Sequence, residues 1–100
     1  MTIRHVVLFS FPDGPDADYL ARMEKGLERM KAGIAEIASA SWGPDLTDEE
    51  SHFDYALILD FADRTAYETY RHHPAHRQFI ADYMREVPMK KVRLQYEVKG

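Results

Sequence analysis

Hydrophobic residues along the chain change period several times, and each change marks an element. From Ile3 to Phe11 the residues Ile3, His5, Val7, Phe9 and Phe11 share one face of an extended segment, with Val6 and Leu8 on the other. Both faces are mainly apolar, so this strand needs cover on both sides. A turn cluster of Pro, Gly and Asp follows, with Asp13 and Asp16 as candidate helix caps. Leu20, Met23, Leu27, Met30, Ile34 and Ile37 then recur at intervals of three and four against a charged face, which predicts an amphipathic helix about 20 residues long.

The stretch "ASASWGPDL" reads as a modest second strand that enters a polar loop, "TDEESH", where His52 is expected to be solvated. "FDYALILDF" is the strongest strand signal, again apolar on both faces. Asp63 can cap a short helix over Arg64 to His72. Pro74 ends it and opens a further helix that carries Phe79, Ile80, Tyr83, Met84 and Val87 toward the core. After Pro88, Lys91, Arg93, Gln95 and Glu97 alternate with Val92, Leu94, Tyr96 and Val98, a strand with one wet face. This order predicts an α+β, ferredoxin-like (split βαβ) domain: a four-stranded antiparallel sheet with helices on one face, spanning residues 1–100 as a single unit. Two strands that are apolar on both faces would leave a lone sheet with a large hydrophobic patch, so a homodimer packed sheet against sheet is expected. The alternative is a monomer with one helix crossing onto the second face.

Composition narrows the function classes. Thirteen basic against seventeen acidic side chains give a net charge of −4, without the basic field that holds a phosphate backbone, so nucleic-acid binding is set aside. The absence of cysteine removes disulfides, thiolate nucleophiles and cysteine-based zinc sites, and fits a reducing compartment. The apolar run at the N-terminus is interrupted by Arg4 and His5, too short to span a bilayer and without a small-residue cleavage site. No membrane partner and a cytoplasmic location are the simplest expectation.

The chemistry-bearing stretch is "YRHHPAHRQF", Tyr70 to Phe79. A residue before proline is pushed out of the helical region, which makes His73 an N-cap and Pro74 the first residue of the next helix. His76 then sits in the first turn, where the partial positive charge of the helix start favours a neutral imidazole that can accept a proton. His73 is near enough to shape the same site. Tyr70, from the last turn before the break, can polarise a carbonyl or orient the His76 ring. A metal reading of "HHxxH" is disfavoured, because the adjacent His72 and His73 point apart and the helix start repels a cation. No metal or other cofactor is expected. A plainer account uses Tyr70, His73 and His76 only as cap and helix-positioning groups. His5 interrupts a buried face, so it is either hydrogen-bonded structurally or turned to a cavity.

"IRHVVLFSF", "WGPDL" and "FDYALILDFADRTAYETYRHHPAHRQF" together resemble the stress-responsive A/B barrel (Dabb) family. The resemblance implies a dimeric α+β barrel. It also brings similarity to plant polyketide cyclases of the olivetolic acid type, which close a poly-β-keto acid by intramolecular aldol condensation without a cofactor. Carried over by position, it implies catalytic roles for Tyr70 and His76, and His5 matches a first-strand histidine. Asp54-Tyr55 stands where those cyclases carry Thr-His. Two readings follow. One is a small cofactor-independent enzyme acting on a hydrophobic carbonyl or polyketide-like substrate, with His5, His73, Trp42 and Tyr55 near the substrate. The other is a non-catalytic dimeric ligand-binding or stress-tolerance domain in which the histidines are structural.

Overall fold

The computed structural model describes residues 1–47 and 53–100, so His52 lies outside the described residues. In chain order the elements are β1 (Ile3–Ser10), α1 (Ala17–Gly33), β2 (Ser39–Pro44), β3 (Tyr55–Phe61), α2 (Arg64–His72), α3 (Pro74–Phe79), a π-helical turn over Ile80–Met84, and β4 (Lys90–Glu97). The strands form one antiparallel sheet in the order β2-β3-β1-β4. This is the ferredoxin-like arrangement expected from the element order.

The helices cover one face only. Ile3, Val7 and Phe9 of β1 and Tyr55, Leu57, Leu59 and Phe61 of β3 are buried there against Met23, Leu27 and Met30 of α1 and Tyr70 and Phe79 of the later helices. Burying a side chain of this size contributes about 1.5–3 kcal/mol, so this layer supplies most of the driving force. Asp16 and Asp63 cap α1 and α2 by accepting from the N–H groups of Asp18 and Ala66. Among the described residues no helix is long and apolar enough to cross a membrane.

Four boundaries or faces differ from the sequence expectation, each for a local reason. The long helix stops at Gly33, shorter than its hydrophobic period suggests, because Ile34 turns extended. Ile34 and Ile37 reach the core from the connection instead and remain buried. At the other end of the sheet, Asp54 accepts from the Phe11 N–H at 2.7 Å, while its own N–H donates to the Phe9 carbonyl. These bonds replace the ladder, so β1 ends at Ser10 and β3 starts at Tyr55. The helix expected to continue to Val87 changes to π winding at Ile80. That winding lets the Tyr83 carbonyl accept from the buried Tyr19 hydroxyl at 2.6 Å.

The fourth difference matters most for function. The polar side of β4 is exposed at Lys91, Arg93 and Glu97, as its pattern predicts, but its register puts Arg93 opposite Val7 and Gln95 opposite His5, on the helix-bearing side. Alternation tells which residues share a face, not which face the helices cover. The apolar side, with Val92, Leu94 and Tyr96 at 40, 66 and 43% exposure, lies on the open face beside Val6, Leu8 and Ile58.

The π turn also explains Gly26 in the middle of α1. A Cβ built there would lie 2.2 Å from the Tyr83 ring, whose hydroxyl is held by Arg29. Gly26→Ala is expected to destabilise the protein, since overpacking costs about 1–3 kcal/mol against about 1 kcal/mol gained in helix propensity. Thermal unfolding checks this, and an unchanged or higher Tm contradicts the close packing.

Candidate functional site

The site is organised by the break between α2 and α3. His73 is extended at φ −67°, ψ 138°, as a residue before proline should be. Its Nδ1 accepts from the Ala75 N–H at 3.0 Å, and its own N–H donates to the Tyr70 carbonyl. His73 therefore caps both helices, and its side chain does not line the cleft described below.

The same break leaves the Arg71 carbonyl free to accept from a side chain. His76 Nδ1 lies 3.1 Å from it. A carbonyl oxygen can only accept, so Nδ1 carries the hydrogen and Nε2 of the neutral ring carries a lone pair. The imidazole stacks on Tyr70, with ring centroids 4.2 Å apart and planes 33° apart. Burial lowers the basicity of His76, and the Lys91, Arg77 and Arg93 charges add to that, while the bond to Arg71 opposes it. The neutral state inferred from the helix start is thus favoured, but burial and the neighbouring cations are its main sources.

His76 and Tyr70 share a cleft of about 50 Å³ with His5, Lys91 and Arg93. Val7, Phe9, Leu57, Phe79 and Met84 supply its apolar wall. His5 is 6% exposed and lies near the Tyr67 and Tyr70 rings, at 5.2 and 6.5 Å between centroids. The Gln95 amide N–H donates to His5 Nδ1 at 3.2 Å, which leaves the hydrogen on Nε2. Burial, then the Arg93 charge, push His5 down to about 4, with His76 opposing its protonation further whenever that ring is itself charged, so His5 stays uncharged at neutral pH. Tyr70 is 5% exposed, and burial raises its hydroxyl well above the ordinary tyrosine value, with Tyr67 adding to the shift. The site therefore presents a neutral base, a phenol that keeps its proton, and a second neutral imidazole with an N–H to donate.

Not every residue singled out in the sequence belongs here. Tyr55 is buried, but its hydroxyl donates to Glu24 of α1, and it borders a separate groove with Leu8, Pro44 and Phe53. Trp42 is half-buried against the core opposite Leu57 and is not a wall of the cleft. His72 is exposed, 3.6 Å from Glu68. Among the described residues, no group of three or more histidine or carboxylate side chains comes together as a metal site. Conversely, nothing in the sequence pattern marks Gln95, Lys91, Arg93 or Tyr67 as neighbours of this site. The three β4 residues look like an ordinary solvated face until the pairing of β4 with β1 is known.

Comparison with known proteins places the chain in a family. Residues 3–98 match the Stress responsive A/B Barrel Domain (Dabb). The Arabidopsis thaliana stress-response A/B barrel domain-containing protein HS1 is 30% identical over 84 residues, covering 82% of this chain and 77% of that protein. A dimeric ferredoxin-like protein of unknown function from Thermobifida fusca superposes with a TM-score of 0.86 at 26% identity, over 98% of this chain and 92% of that one. A hydroxynitrile lyase from Passiflora edulis shares the fold at a TM-score of 0.84 and 18% identity, over 98% and 94% of the two chains. With its match running over nearly the whole sequence, the chain belongs to the stress-responsive A/B barrel (Dabb) family.

Proposed function

We propose that the protein is a cofactor-independent proton-transfer enzyme, acting on a small carbonyl compound in aldol- or lyase-like chemistry. The observation that carries this reading is the His76 ring. Its Nδ1–H is committed to the Arg71 carbonyl, its other nitrogen is left as a base, and it stands in a cleft beside a protonated phenol. In the reaction, His76 Nε2 takes a proton from carbon next to the substrate carbonyl. The C–H electron pair moves into the carbonyl group to form an enolate, and the Tyr70 hydroxyl donates to the developing oxyanion. His5 Nε2–H is a second donor for that oxygen. The proton passes to His76 and the electron pair stays in the substrate as the enolate, so the step calls for no redox partner. A purely structural role accounts well for His73, whereas His5, besides its bond to Gln95, also lines the cleft beside Tyr70 and His76.

The working unit of this proposal is a homodimer joined through the open sheet face. Support comes from the exposed Val92, Leu94 and Tyr96 and from the dimeric Thermobifida fusca relative. Packing that face would bury the apolar patch while leaving the helix-side cleft clear of the interface. The cysteine-free composition suits a cytoplasmic setting.

Proton abstraction is read as deuterium incorporation into the α-carbon of small ketones and β-keto acids above the buffer rate. His76→Gln is expected to lower the catalysed exchange by about 100-fold or more, and Tyr70→Phe by at least about tenfold, with both variants folded by circular dichroism. Wild-type exchange no faster than buffer, or full exchange in folded His76→Gln, contradicts the reading. For the assembly, Leu94→Asp is expected to convert a dimer into monomers by sedimentation. A wild-type monomer, or an unaffected Leu94→Asp dimer, contradicts it.

A further inference from the structure

Lys91 and Arg93 are two residues apart on one strand, so their side chains leave the same face at a spacing of roughly 7 Å. Both line the cleft that holds His5, Tyr70 and His76. Among the described residues neither forms an ion pair or a side-chain hydrogen bond to a carboxylate, although the chain carries seventeen acidic side chains. Two like charges thus converge on a partly apolar cleft without a counter-ion among the described residues. Burial and the Arg93 and Arg85 charges lower the affinity of Lys91 for its proton, in keeping with an uncompensated pair. An anion placed between them can take charge-assisted hydrogen bonds from both.

The cleft opens to solvent, and its inner volume of about 50 Å³, on the order of four water-sized probes, suits a carbonyl and a carboxylate held side by side. We propose that Lys91 and Arg93 form a carboxylate subsite and that the substrate is a small keto acid. Its carboxylate sits between the two cations, its carbonyl oxygen meets Tyr70 and His5, and its acidic carbon faces His76. This deepens, and rests on, the proton-transfer reading of the same cleft. Arg93 suits the role through its planar fork of donors, which matches two carboxylate oxygens, while Lys91 adds a mobile point charge.

The test compares acetoacetate with its neutral ester methyl acetoacetate. Affinity is read by ligand-observed NMR titration on the wild type, on Lys91→Gln and Arg93→Gln, and on the double variant. Both residues are exposed, and circular dichroism verifies that each variant folds. Acetoacetate is expected to bind the wild type at least about tenfold more tightly than the ester, with that preference reduced in each single variant and abolished in the double variant. Failure of the wild type to bind acetoacetate, equal affinity for acid and ester, or a folded double variant that keeps the preference overturns the subsite. The two proposals fail separately. Binding through Lys91 and Arg93 without α-proton exchange retains the subsite and removes the proton-transfer reading, whereas exchange without preference for the acid removes the subsite alone.

Discussion

The hydrogen bond from His76 Nδ1 to the Arg71 carbonyl is the contact on which the site depends. It exists because Pro74 stops one helix and starts another within a single residue, freeing a carbonyl that continued winding would have used. A straight helix through the segment would present neither a free acceptor nor the ring of His76 against Tyr70. The bond fixes the tautomer, the stacking on Tyr70 fixes the plane, and burial keeps the ring uncharged. One break in the chain therefore sets position, orientation and protonation together.

The other half of the site is built by the edge strand. β4 contributes Gln95 to hold His5, and places Lys91 and Arg93 at the cleft, because its polar side pairs onto the buried side of β1. The same register turns Val92, Leu94 and Tyr96 outward onto the open sheet face. Site and interface are thus opposite sides of one strand. A slip of one residue would exchange them and destroy both.

Much of the fold was legible in the chain, because periodicity and caps are local. Asp63 and the His73-Pro74 boundary act on their own neighbours, and the alternation in β1 and β3 reappears as alternating burial. The departures come where a distant partner decides. Asp54 shortens two strands by bonding to Phe11, 43 residues away. Tyr55 carries a phenol suited to a site, but Glu24 of α1 claims its hydroxyl. For the candidate site, Tyr70, His5 and His76 stood out as unusual residue types in apolar or proline-broken surroundings. Lys91, Arg93 and Gln95 did not, since a charged face on a strand reads as solvated until its pairing partner is known.

The central claim is a statement about protons, and nitrogen-detected NMR of the imidazoles measures it directly. At neutral pH the account predicts His76 as a neutral ring with its hydrogen on Nδ1, and His5 as a neutral ring with its hydrogen on Nε2. A His76 ring carrying its hydrogen on Nε2, or charged at neutral pH, would leave no free base in the cleft and would contradict the account.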